Sequence, residues 1–138
     1  TLPGDPYIYY GEEIGMLGKK PDPNIREPFL WAPAKVDSMR TSWIKPRFTK
    51  DKTVVPLSIQ KDDPNSLYNH YKQLINDRNN SEILLKGTIE PIEVDNPGVL
   101  AYKRVLDEKS MSFFHNLTSE KITLNGKEIG AYTTLTIN

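Results

Sequence analysis

The sequence predicts an α/β segment followed by an all-β segment: the last strand, loop and helix of a (β/α)8 barrel, then a small antiparallel β-sandwich. Three observations favour this order. Residues 7–16 combine a short aromatic and β-branched run with a glycine and two acids, which is typical of a barrel strand. Residues 62–79 have helical periodicity, and after residue 83 only short β runs remain. We therefore expect residues 1–82 to end the barrel and residues 83–138 to form the sandwich.

The predicted strand, residues 7–10, follows a Pro-Gly-Asp-Pro turn and stops at Gly11, beside Glu12 and Glu13. No starting Met or leader precedes it. This pattern is typical of the interior of a domain, so we expect the carboxy-terminal piece of a larger protein.

The predicted loop, residues 17–59, is rich in Pro, Lys and Asp and has neither helical nor strand periodicity. A loop of this length in a compact protein is usually functional or disordered. Its spaced aromatic side chains favour an ordered loop, and they are Phe29, Trp31, Trp43 and Phe48.

The predicted helix begins among acids, a proline and capping residues at 62–66 and ends at about residue 79. An apolar stripe at helical spacing predicts that one face is buried. That stripe comprises Leu67, Tyr68, Tyr71, Leu74, Ile75 and the stem of Arg78.

The predicted sandwich contains short alternating runs at residues 99–105 and 111–117, joined across a polar turn. Asn125-Gly126 between two short β runs predicts a hairpin, because this pair adopts the positive φ of a type I′ turn. Residues 133–137 form a last β-branched strand.

Composition excludes several classes of partner. Lys and Arg total 18, equal to Asp and Glu, so the absence of a net positive charge argues against nucleic acid. Cysteine is absent, which excludes disulfides and thiolate chemistry. No apolar run approaches the roughly 20 residues that span a bilayer, so we expect no membrane partner.

Several blocks in a consistent order resemble the α-amylase family, glycoside hydrolase family 13. The first block is residues 7–16, followed by Lys20-Pro21-Asp22, by residues 25–29 with the sequence Ile-Arg-Glu-Pro-Phe, and by Trp31. Residues 63–75 resemble the last barrel helix of that family. The segments Lys20-Pro21-Asp22 and Arg26-Glu27-Pro28 resemble those of the oligo-1,6-glucosidase and neopullulanase types within the family.

The resemblance implies the C-terminal segment of a retaining α-glucan hydrolase that acts on starch or maltooligosaccharides. It implies that the partners are an α-glucan and the rest of the barrel, and that residues 83–138 correspond to the domain C of the family. It implies no cofactor in this segment, and calcium only in other parts of the parent protein. The alternative is a non-catalytic carbohydrate-binding or purely structural β-sandwich module, against which the strand, loop and helix count.

The resemblance implies substrate-binding roles for Arg26, Trp31 and Asp22. A guanidinium offers fixed donors that suit vicinal sugar hydroxyls, but Arg26 could instead pair with an acid and pin the loop. Trp31 could stack on a sugar or anchor the loop. Lys20 and Asp22 are candidates for contacts at the rim.

No catalytic residue is predicted in this chain. Glycoside hydrolysis needs two carboxylates across one bond, whereas Glu12 and Glu13 are adjacent on a strand and face opposite sides. We expect one to be a buried structural carboxylate and the other to bind backbone N–H groups or an Arg. His70 and His115 have no partner at ligand spacing, so no metal site is predicted.

Overall fold

The computed structural model describes all 138 residues, which form two compact units. One unit consists of Pro6–Asn76, and the other of Thr1–Asp5 together with Asp77–Asn138. These units reflect packing, and the predicted domain boundary after residue 82 stays a prediction. Among the helices, none has both the length and the apolar character that crossing a membrane requires.

Tyr7–Tyr10, predicted as a strand, forms no strand in the structure. A strand exists only beside a hydrogen-bonded neighbour, and no segment of this chain pairs with these residues. Gly11 follows with φ of 91°, a conformation that favours glycine, and a 3-10 turn covers Glu12–Ile14. The strand prediction is therefore wrong for this chain taken by itself. The turn that follows begins at Gly11, where the sequence predicted that the strand would end.

Residues 17–59 are ordered but almost free of regular structure, as the absence of periodicity predicted. The exceptions are a second 3-10 turn at Asp22–Ile25 and the first residues of helix α1, Leu57–Gln60. The small apolar core of this unit consists of Ile14, Leu30, Val54 and Leu57.

The predicted long helix is α2, Leu67–Asn79. Ser66 caps it, because its Oγ accepts a hydrogen bond from the amide of Asn69 at 3.2 Å. The expected buried face is not realised: no residue of α2 is buried, and Leu74 is 50% exposed. An apolar stripe is buried only against a partner surface, and the family resemblance assigns that surface to other parts of the barrel.

Buried polar side chains hold the irregular segments of this unit together. Glu27 is 1% exposed, and its carboxylate accepts hydrogen bonds from the amides of Arg47 (2.6 Å), Phe48 (3.1 Å) and Thr49 (2.8 Å). The Thr49 hydroxyl donates to the carbonyl of Leu17 at 3.0 Å. These bonds satisfy backbone groups that have no helix or sheet to pair with.

The buried side chain of Gln60 likewise hydrogen-bonds to backbone groups, near the start of α2. Its Nε2 donates to the carbonyls of Ile14 (2.9 Å) and Val55 (2.8 Å), and its Oε1 accepts from the amide of Tyr68 at 3.0 Å. The 5% exposed side chain therefore connects three segments that are distant in sequence.

The second unit contains a four-stranded antiparallel sheet in the order β1-β2-β3-β6 and a two-stranded sheet β4-β5. A short helix that the sequence did not predict, α3 at Glu82–Lys86, precedes them. The strands are β1 Thr88–Pro91, β2 Val99–Leu106, β3 Lys109–Asn116, β4 Ile122–Leu124, β5 Lys127–Ile129 and β6 Thr134–Ile137.

Both predicted hairpins are confirmed. β2 and β3 pair from Val99 opposite Asn116 to Leu106 opposite Lys109, and the tight turn places Asp107 at φ 53°. The turn between β4 and β5 has φ of 50° at Asn125 and 77° at Gly126, as a type I′ turn requires.

Buried polar groups also organise the second unit. Arg104 is fully buried and donates to the carbonyls of Thr88, Thr1 and Gly87. His115 lies at the edge of the core, where the hydroxyls of Tyr102 and Thr134 hydrogen-bond its ring. Burial, assisted by the nearby positive α-amino group, lowers the pKa of His115 below its ordinary value.

We predict that Glu27→Gln lowers the free energy of unfolding of the Pro6–Asn76 unit by about 3 kcal/mol, since it weakens charged hydrogen bonds and leaves buried N–H groups poorly paired. Both tryptophans of the chain lie in this unit, so urea unfolding followed by tryptophan fluorescence reports it directly. Glu120→Gln, an exposed carboxylate, is the control. Equal midpoints for the two variants would contradict a stabilising role for Glu27.

Candidate functional site

Three charged side chains of the long loop form an exposed cluster around Asp22. One oxygen of its carboxylate accepts a hydrogen bond from Lys20 Nζ, and the other accepts from Arg26 Nη2 at 3.2 Å. The side chains of Arg26 and Asp22 are 59% and 49% exposed. Exposed ion pairs contribute little to stability, so the pairing mainly fixes the direction of the two cations.

The backbone beneath the cluster is fixed from two sides. Asp22 begins the 3-10 turn Asp22–Ile25. Because of this turn, Arg26, four residues after Asp22, comes close enough for its guanidinium to pair with the Asp22 carboxylate. Glu27 is the next residue, and its buried carboxylate ties this position to the amides of residues 47–49. The exposed Arg26 side chain therefore follows a turn whose backbone Glu27 holds in place.

Tyr10 adjoins the same segment. Its hydroxyl donates a hydrogen bond to the carbonyl of Glu27 at 3.2 Å. Burial raises the pKa of Tyr10 above its ordinary value, and repulsion from the ionisable Tyr9 hydroxyl and from Glu27 adds to the shift, although Arg26 opposes it. Tyr10 is therefore a neutral hydrogen-bond donor near neutral pH.

Trp31 anchors the loop, which is one of the two roles that the sequence left open, and it remains partly accessible. Its ring packs against Phe29 with centroids 4.5 Å apart and an interplanar angle of 49°, which anchors the loop. The residue as a whole is 37% exposed to solvent. Its amide donates to Asp37 Oδ2 at 2.9 Å, so the backbone is held while part of the indole stays accessible.

The expectation for Glu12 and Glu13 needs correction. Each accepts a hydrogen bond from a local amide, Tyr9 at 3.3 Å and Gly11 at 2.7 Å respectively, and neither is buried. The buried structural carboxylate of this region is Glu27 instead. Sequence reasoning missed it because a glutamate in a polar, aperiodic loop carries no signal of burial.

The arrangement offers binding groups without an acid–base pair. Arg26 and Lys20 have further N–H donors, whereas Asp22 and the Tyr10 hydroxyl oxygen, whose hydrogen is donated to Glu27, are acceptors, which suits a neutral polyol. No three side chains among Asp, Glu, His and Cys come together as a metal site in this chain. Calcium in other parts of a larger protein stays a prediction.

Comparison with known proteins identifies relatives that are considerably longer than this chain. "Alpha-amylase 3" of Dictyoglomus thermophilum is 45% identical over 125 residues, covering 91% of this chain and 25% of its own length. "4-alpha-glucanotransferase" of Thermotoga maritima is 28% identical over 137 residues, covering 97% of this chain and 31% of its own length. The crystal structure of an α-amylase from H.orenii superposes with a TM-score of 0.85 at 32% identity, covering 99% of this chain and 32% of that one.

The family model for the catalytic domain of α-amylase matches residues 1–87. The match therefore includes the Asp22 cluster, Trp31 and the Glu27 anchor. Because it extends over 87 of the 138 residues, the chain belongs to the α-amylase family, as its motifs indicated.

Proposed function

We propose that this chain is the segment of a retaining α-glucan hydrolase that contributes part of the substrate-binding wall and the following β domain. In this proposal the full protein cleaves glucosidic bonds in starch or maltooligosaccharides. Arg26, Asp22 and Trp31 contact the glucan, and the other parts of the barrel supply the acid and the nucleophile.

The observation that carries the proposal is the geometry at Asp22. One carboxylate fixes two cations whose remaining donors face solvent, on a turn that the buried Glu27 holds in place. Exposed donors on a fixed turn and a partly exposed indole in the same loop suit the hydroxyl rim and C–H faces of a glucose chain. A purely structural loop would gain little from such an exposed cluster.

The chain itself is proposed to be non-catalytic. A retaining mechanism needs two carboxyl groups about 5 Å apart with a raised pKa on the acid. Glu12 and Glu13 accept hydrogen bonds from local amides. Glu27 is buried, and its carboxylate accepts hydrogen bonds from three other backbone amides. These three carboxylates are engaged with backbone amides, which supports the proposal that the acid and the nucleophile come from other parts of the full protein.

Two alternatives make different predictions. A free carbohydrate-binding module would bind glucan without any larger enzyme, but the match to a catalytic-domain model counts against it. The second alternative is that the full protein transfers glucan chains and does not hydrolyse them. Its support is the similarity to a protein named 4-alpha-glucanotransferase. The products formed by the full protein from maltoheptaose separate the two reactions, since transfer yields chains longer than the substrate.

The full protein should release shorter maltooligosaccharides from maltoheptaose, whereas the 138-residue chain should release none at any pH, because it has no acid and nucleophile pair. Chromatography of the products at equal molar concentration measures both. Cleavage by the isolated chain that Glu12→Gln or Glu13→Gln abolishes would contradict the proposal. An inactive full protein would also contradict it.

In the full protein, Arg26→Ala should lower kcat/KM for maltoheptaose more than tenfold with an unchanged melting temperature. Loss of a positioned charged donor costs about 1.5–3 kcal/mol, whereas loss of an exposed ion pair barely affects folding. Lys86→Ala, which breaks an exposed i,i+4 pair in the other unit, is the matched control. Unchanged kinetics with a lowered melting temperature would instead assign Arg26 to pinning the loop.

A further inference from the structure

The tip of the hairpin formed by β4 and β5 consists of an asparagine followed by a glycine. Among the asparagines of the chain, only Asn125 precedes a glycine, and both Asn125 and Gly126 are exposed. The backbone nitrogen of a residue that follows asparagine lies close to the carbonyl carbon of the asparagine side chain. When that residue is a glycine, no Cβ hinders the approach of the nitrogen to this carbon.

Neither of these two groups is engaged by the protein. The amide of Gly126 donates no hydrogen bond to a backbone carbonyl. The side-chain amide of Asn125 forms no hydrogen bond with any other group of the chain. A Cβ placed on Gly126 would meet no atom within 4 Å, so the space beside its backbone is open. The nitrogen and the carbon that it could attack are therefore both unpaired, on an exposed turn.

Two other asparagines show the opposite environment. Asn116 is 2% exposed, and its Nδ2 donates to the carbonyls of Glu120 (2.7 Å), Ile129 (3.2 Å) and Gly130 (2.8 Å). Asn69 donates from its Nδ2 to three backbone carbonyls. A side-chain amide that is bonded in this way loses those hydrogen bonds if it rotates toward the next backbone nitrogen, and this loss costs free energy.

The sheet that supports the Asn-Gly turn is small. β4 and β5 have three residues each and pair only with each other. Ile129 is the one buried residue of the two strands. A two-stranded sheet is marginally stable and opens locally at a low cost in free energy. The turn can therefore reach the conformation in which the Gly126 nitrogen contacts Cγ of Asn125.

We propose that Asn125 is a site of spontaneous deamidation whose product alters the β4–β5 hairpin. The Gly126 nitrogen gives its proton to solvent base and bonds to Cγ of Asn125. The bond from Cγ to Nδ2 breaks, and ammonia leaves with a proton from solvent, so that a five-membered succinimide remains. Water then adds to one of the two ring carbonyls, and the bond from that carbon to the ring nitrogen breaks. The product is aspartate or isoaspartate, and water is the co-reactant.

Isoaspartate changes the hairpin because it adds one carbon atom to the main chain. A type I′ turn has two residues between its strands, and it sets the pairing of Leu124 with Lys127. A longer main chain does not fit this turn, so the pairing is lost. The carbonyls of Ile129 and Gly130, just beyond the hairpin, accept hydrogen bonds from Asn116. The change at the exposed turn therefore extends to a buried side chain of the β unit.

Incubation of the full protein at mildly alkaline pH, followed by tryptic digestion and mass spectrometry, tests the site. Cleavage after Lys121 and Lys127 releases Asn125 in one short peptide. We expect Asn125 to react about tenfold faster than Asn65, an exposed asparagine that a serine follows, because glycine has no Cβ. Both products should form, and the rate should rise with pH because the attacking amide is deprotonated.

Asn125→Gly is the matched control, because glycine accepts the positive φ of the turn and has no side-chain amide. After equal incubation, amide exchange at Lys127–Ile129 should be faster in the wild type and unchanged in the variant. Conversion without faster exchange would overturn the effect on the hairpin. Conversion no faster than at Asn65, or conversion in a synthetic peptide of residues 121–130 but not in the folded protein, would overturn the site. None of these outcomes bears on the proposed function, which rests on the Asp22 cluster.

Discussion

The long loop of this protein depends on one buried carboxylate. Glu27 is almost fully removed from water, and three consecutive amides, at residues 47–49, donate to it. A buried charge without partners would cost several kcal/mol, so the carboxylate and the three amides stabilise each other only in one geometry. Arg26 immediately precedes Glu27, and Arg40 bonds the carbonyl of Thr49. The turn that carries the proposed binding residue Arg26 is therefore fixed by the same few bonds.

The β unit uses the same principle with different chemistry. Arg104, fully buried, donates to three backbone carbonyls, and the Asn116 amide group donates to the carbonyls of Glu120 (2.7 Å) and Gly130 (2.8 Å). Each unit has only a few buried apolar side chains. Buried side chains that pair with backbone groups therefore define the conformation of segments that hydrophobic packing alone would leave undetermined.

Local patterns predicted α2 and the strands after residue 98, but not the short helix α3 or strand β1, and tertiary contacts decided the rest. The Asn125-Gly126 turn, both hairpins and α2 follow from sequence spacing and turn chemistry, which act over a few residues. The strand at Tyr7–Tyr10 and the buried face of α2 require a partner surface, which a local pattern does not supply. At the candidate site, the family resemblance suggested Asp22 and Arg26, which the structure places in one cluster, but Glu27 was missed because its partners lie twenty residues further along the chain.

Amide hydrogen exchange at residues 47–49 tests the central claim most directly, because these amides lie in no helix or strand. If Glu27 organises the loop, the amides of Arg47, Phe48 and Thr49 exchange far more slowly than that of Lys52, an exposed residue of the same loop, and Glu27→Gln accelerates all three together. If the three amides exchange as fast as Lys52, or if the substitution affects only one of them, the carboxylate does not hold the loop and the account is wrong.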